Sequence, residues 1–110
     1  IPTGKRYPFT EFVEGKKIGA TVLDNCFAIT PAADGRFHLQ LKGEKGRLEY
    51  WQESAQGQYP FVQLFTPPMR QSIAIEPMTC NVDAFNNGEG LLEVAPDEHI
   101  SARFGLSFYP

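Results

Sequence analysis

The sequence predicts an all-β fold, a β-sandwich or part of one, built mostly of antiparallel strands. Three observations carry this. Apolar residues recur at every second position in several short segments, which is the period of a half-buried strand. Turn-forming residues such as Gly43-Glu44-Lys45-Gly46 and Asn86-Asn87-Gly88 separate these segments. No stretch combines a 3.6-residue apolar period with helix-capping residues.

Taken in order, the first thirty residues are the least regular. Gly4, Gly15 and Gly19 predict loops there, with a strand around Cys26 to Thr30. Arg36-Phe37-His38-Leu39-Gln40-Leu41-Lys42 alternates strictly, and Arg47 to Gln52 reads as the return strand of a hairpin. Tyr59 to Phe65 is rich in aromatic and β-branched residues and is stopped by Thr66-Pro67-Pro68. Gln71 to Glu76 predicts a strand with Ile73 and Ile75 on one face. Leu91 to Val94 predicts a short strand, and alternation from Ile100 to Phe108 predicts a long closing one. Phe37, Leu39, Leu41, Ile73, Ile75, Phe104 and Leu106 are the expected core. No internal repeat, linker or low-complexity tract interrupts the chain.

Bulk properties narrow the function classes. The chain has 110 residues, the size of one domain or a portion of a larger one. A net charge of -3 without a basic stripe argues against nucleic-acid binding. No apolar run has the length of a membrane span, so no membrane partner is expected. Cys26 and Cys80 lie far apart, outside any metal-ligand spacing. They read as two free, reduced thiols of a cytoplasmic protein, and neither a metal nor a cofactor is expected.

A few residues stand out chemically. Glu76 ends an apolar strand before Pro77, which holds it extended. A carboxylate there suits a general base, although most such glutamates are simply solvated, and residue type alone leaves both readings open. Asp24 lies between apolar residues in Val22-Leu23-Asp24-Asn25-Cys26-Phe27, as a binding group or as a turn former. His38 and His99 have no partner at a triad or metal spacing and read as surface or structural residues. Tyr50, Trp51, Tyr59, Phe61 and Phe65 read as core filling, with a sugar-stacking platform as the alternative.

The run Ser72-Ile73-Ala74-Ile75-Glu76-Pro77-Met78-Thr79-Cys80-Asn81-Val82-Asp83-Ala84-Phe85-Asn86 closely resembles the late motif of the aldose 1-epimerases (galactose mutarotases). In that family a glutamate ends a strand and a loop carrying Asp-Ala-x-Asn follows. Leu23-Asp24-Asn25-Cys26-Phe27 resembles the family's Asp-x-x-Phe segment, and Ile1-Pro2-Thr3-Gly4 resembles the strand exit that precedes it. Gly90-Leu91 and the last alternating strand are similar to the family's closing strands. The resemblance runs from Ile1 to Phe108. It implies the C-terminal portion of a mutarotase-like β-sandwich (supersandwich), with Glu76 as catalytic base and Asp24 as the substrate-binding carboxylate.

The implied reaction interconverts the α and β anomers of an aldohexose. A base takes the proton of the anomeric hydroxyl while an acid protonates the ring oxygen; the ring opens, the carbonyl group rotates, and closure gives the other anomer. Each group works best with a pKa near the working pH. Burial among Ile73, Ile75 and nearby aromatics is expected to raise that of Glu76. The family's active-site histidines belong to a region upstream of these motifs, so His38 and His99 do not inherit the acid role. The expected partners are therefore an aldohexose and either a missing N-terminal segment or a second copy pairing through open sheet edges. A non-catalytic carbohydrate-binding β-sandwich is the alternative class.

Overall fold

This computed structural model describes residues 3–110; Ile1 and Pro2, and with them half of the Ile1-Pro2-Thr3-Gly4 motif, lie outside the described residues. Strand β1 spans Asp24–Ala28, β2 Arg36–Gly43, β3 Gly46–Glu53, β4 Phe61–Phe65, β5 Ala74–Met78 and β6 Phe104–Tyr109, with one single-turn helix, α1, at Ala84–Asn87. The fold is all-β. One three-stranded sheet runs β1-β4-β5 and the other β2-β3-β6. Every pairing is antiparallel. No helix among the described residues is long and apolar enough to cross a membrane.

Period-two alternation sets the faces of both sheets. In β2-β3-β6 the cross-strand rows Phe37–Gln52–Phe104, Leu39–Tyr50–Leu106 and Leu41–Leu48–Phe108 share one side. Arg36, His38, Gln40 and Lys42 point to the other. In β1-β4-β5 the rows Asn25–Leu64–Ile75 and Phe27–Val62–Pro77 alternate with Asp24–Phe65–Ala74, Cys26–Gln63–Glu76 and Ala28–Phe61–Met78. The core forms where the two apolar faces meet. Leu23, Val62 and Leu64 are buried, and Phe27, Phe37, Leu39, Ile73 and Ile75 pack around them. Burying each of the three central side chains stabilises the fold by about 2 kcal/mol.

A buried polar bridge also joins the sheets. Gln52, fully inaccessible on β3, donates from Nε2 to the carbonyls of Tyr59 at 2.7 Å and Phe61 at 3.0 Å. Its Oε1 accepts from the Tyr50 hydroxyl at 2.7 Å. Burial, and then the neighbouring Tyr59, push the Tyr50 phenol up to about 12.

Some sequence expectations need correction. The strand containing Glu76 does not end there, because β5 carries Pro77 within it, paired with Val62. This is tolerated because β5 is an edge strand, where a missing N–H breaks no ladder. Leu91 to Val94 is not a strand. Gly88 and Gly90, at φ 70° and 75°, turn the chain there. Gly90 lies so close to Cys80 and Thr79 that an added Cβ would stand 3.0 Å from both. The last strand is shorter than its alternation suggests. Before Phe104, Arg103 is bound to Glu53, the last residue of β3, by backbone and side chain, so no partner strand remains for Ile100 to Ala102. The turn-forming Asn86-Asn87-Gly88 ends helix α1, with Gly88 as its left-handed cap.

Burial is also lower than expected. Phe37, Leu39, Leu41, Ile73 and Ile75 are half-buried. Phe104 and Leu106 are 51% and 59% exposed. They lie on the correct face, but β6 is an edge strand and the other sheet covers that face over β2 and β3 only. The chain exposes 8331 Å², against about 6,100 Å² for a compact monomer of its mass.

Candidate functional site

Asp24 is set in place by its neighbours. Leu23 turns into the core, so alternation sends Asp24 to the outer face of the β1-β4-β5 sheet. Thr66 locks this start of β1: the Leu23 N–H donates to its Oγ1 at 2.9 Å, and its own N–H donates to the Leu23 carbonyl at 2.8 Å.

Gln63 is the residue that sequence reasoning missed. It projects from the middle of β4 on the same face, beside Cys26 and Glu76. Its Nε2 donates to Asp24 Oδ1 at 2.8 Å. An ionised carboxylate only accepts hydrogen bonds, so the amide nitrogen must face Asp24. Gln63 Oε1 is then turned away, and it is buried without a hydrogen-bond partner. A buried acceptor left open costs about 1–3 kcal/mol. The signal was present as a single polar residue in Phe61-Val62-Gln63-Leu64-Phe65.

Asp24 and Gln63 open into a cleft of about 470 Å³. Its floor is β1 with Phe61 and Gln63, its outer wall is Thr3 to Phe9, and Asn81 and Val82 close one side. Burial pushes the Cys26 thiol up, partly offset by the Val82 N–H facing its sulfur. Both cysteines are free and half-buried. A smaller hollow of about 280 Å³ lies beside Arg70. The Arg70 guanidinium is engaged there with the carbonyls of Gly19 and Thr21, which makes that hollow a loop anchor rather than a reactive site.

Glu76 shares the outer face with Asp24 and stands beside Gln63 on β5. Strand spacing puts the Asp24 and Glu76 backbones roughly 12 Å apart, with Gln63 between them. The expected burial of Glu76 does not occur, and Glu76 is exposed. Alternation explains the difference, since Ile75 faces the core and Glu76 therefore points away from it. Asp83-Ala84-Phe85-Asn86 lies outside the cleft. Asp83, at φ 58°, starts helix α1 and accepts a 2.6 Å hydrogen bond from Asn86 Nδ2.

The histidines stand elsewhere. His38 is on the polar face of the β2-β3-β6 sheet, 2.6 Å from Asp34, whose carboxyl it holds below the usual range. His99 is exposed in the loop before β6. The aromatic residues do not make one platform. Tyr50 and Phe61 are buried at 2% and 4% exposure. Trp51 lies against Gly105 with the Arg36 guanidinium 3.9 Å above its ring. No group of three metal-ligating side chains occurs among the described residues. Comparison with protein-family models, curated proteins and solved structures finds no match for this chain.

Proposed function

We propose that the cleft is the sugar site of an aldose 1-epimerase-like isomerase that interconverts the anomers of an aldohexose. The observation that carries this reading is Asp24, an exposed carboxylate held by the Gln63 amide at a polar cleft. A carboxylate, whose two oxygens both accept, suits the neighbouring hydroxyl donors that a sugar ring provides. Fixing the ring this way contributes orientation. Glu76, outside the lining of the cleft but beyond Gln63 on the same sheet face, is the base that takes the anomeric proton in this reading. Its exposure fits a group that meets its ligand at the surface. The acid for the ring oxygen is not assigned to His38 or His99, which face other parts of the chain. The sequence resemblance around Asp24 and Glu76 supports the same roles, and the aromatic residues give the non-catalytic alternative no common surface.

The first test is titration of the 15N-labelled chain with galactose and glucose. The Gln63 side-chain amide signals are expected to shift. No shift up to about 100 mM, a weak-binding limit near 1.4 kcal/mol, would remove the cleft as a sugar site. Anomer exchange is then followed by polarimetry. Glu76→Gln is expected to lower the rate at least about a hundredfold while binding persists. A Glu76→Gln rate equal to that of the unaltered chain would take the base role from Glu76.

A further inference from the structure

The outer wall of the cleft is held by few contacts. Residues 3–10 belong to no strand or helix. Asn81, only 6% exposed, donates from Nδ2 to the Gly4 carbonyl at 3.2 Å and to Glu89 Oε2 at 2.6 Å. The other oxygen of the same carboxylate, Glu89 Oε1, pairs with Arg6. Arg6 in turn lies 5.6 Å above the Phe61 ring on the cleft floor. Gly4 fits closely at the joint: its φ is 80°, and an added Cβ would come within 2.6 Å of Asn87 Nδ2 and 3.3 Å of Asn81 Nδ2. Further along, Phe9 is seated on Phe12 and Phe27.

We propose that Asn81 and Glu89 form a clamp that holds residues 3–9 as the wall of the cleft, which makes Asn81 a positioning residue for the ligand of Asp24 and Gln63. Neither clamp residue need touch that ligand. Asn81 ties the loop after β5 to Gly4, Glu89 ties the same loop to Arg6, and the two ties share one carboxylate. Loss of either lets the segment swing outward and uncovers Cys26, which lies in the cleft behind it. The ligand-positioning part of this inference rests on the sugar reading above; the clamp itself does not.

The experiment uses Cys26 as the reporter. In a Cys80→Ser background, the rate at which an aromatic disulfide reagent labels Cys26 is compared across variants. Asn81→Leu keeps the side-chain size, removes both donated hydrogen bonds and also takes away the Oδ1 that accepts from the Val82 N–H. It should speed labelling at least about tenfold, since the loss of a single buried hydrogen bond already gives that factor. Arg6→Met, on a side chain 59% exposed, should speed it severalfold without unfolding the chain. If both variants label within twofold of the background, the clamp is wrong. Should Asn81→Leu lose its strand circular dichroism, Arg6→Met alone decides. Galactose separates the two readings. Protection of Cys26 by galactose in the background, weakened about tenfold by Asn81→Leu, supports the positioning role. No protection in the background refutes the sugar site and leaves the labelling rates to judge the clamp.

Discussion

Gln52 offers the sharpest test of how the two sheets are joined. Gln52→Leu keeps a similar volume but strands three partners: the buried Phe61 carbonyl and Tyr50 hydroxyl and the part-buried Tyr59 carbonyl. Leaving a buried polar group unpaired costs about 1–3 kcal/mol. At the low end of that range, three such groups amount to about 3 kcal/mol. The apolar leucine recovers part of this, so the net loss is about 2 kcal/mol. With a urea slope of about 1–2 kcal/mol per molar, the unfolding midpoint falls by about 1–2 M. Tyr50→Phe strands only the Gln52 oxygen and should move the midpoint about a third as far. Gln52→Glu keeps the acceptor for Tyr50 but turns a carboxylate oxygen toward two carbonyls, and should be worse than leucine at neutral pH. The measurement is equilibrium urea unfolding followed by circular dichroism. An unchanged midpoint and slope in Gln52→Leu would show that the bridge contributes nothing net, and the account of the sheet junction would fail.

Other outcomes follow from the same contacts. Gly105→Ala puts a Cβ 2.5 Å from Trp51 Nε1, on the pairing of β3 with β6, and should cost about 1–3 kcal/mol; unchanged thermal unfolding would show that the indole moves aside freely. Arg103 holds the Glu53 carboxyl below its ordinary range by hydrogen bonding, and a lowered carboxylate pKa gives stability above the unfolded value that is lost as pH falls through the folded one. Acid titration below about pH 4 should therefore weaken the tie at the start of β6 slightly, and Arg103→Ala should flatten that limb of the stability profile; an identical limb would place acid sensitivity elsewhere. The uncovered β6 face is expected to drive concentration-dependent self-association, visible by sedimentation and suppressed by Leu106→Lys; a monomer at every concentration with the native residue would rule out pairing through that edge.

The sequence by itself determined the class of fold and the faces of its strands. Alternation in Phe37-His38-Leu39-Gln40-Leu41 and the turn at Glu44-Lys45 specify a hairpin because side chains on a strand must alternate. The same rule put Ile75 and Glu76 on opposite faces, against the expectation that Glu76 would be buried, and the resemblance around Asp24 and Glu76 singled out two residues that share a sheet face. What covers a face is a different matter, because it depends on where the other sheet sits. Phe104 and Leu106 alternate as regularly as Phe37 and Leu39, yet only the latter pair meets Val62 and Leu64. Strand ends were likewise decided by partners. The closing strand begins at Phe104 because β3 ends at Glu53, and Pro77 stays within β5 because β5 is an edge. Gln63 became a site residue only once strand register set it diagonally beside Asp24, which fixed its amide and left its oxygen open. The clamp on residues 3–9 joins Gly4 and Arg6 to Asn81 and Glu89, positions more than seventy residues apart in sequence. Such contacts arise from closure of the tertiary fold, and no local pattern encodes them.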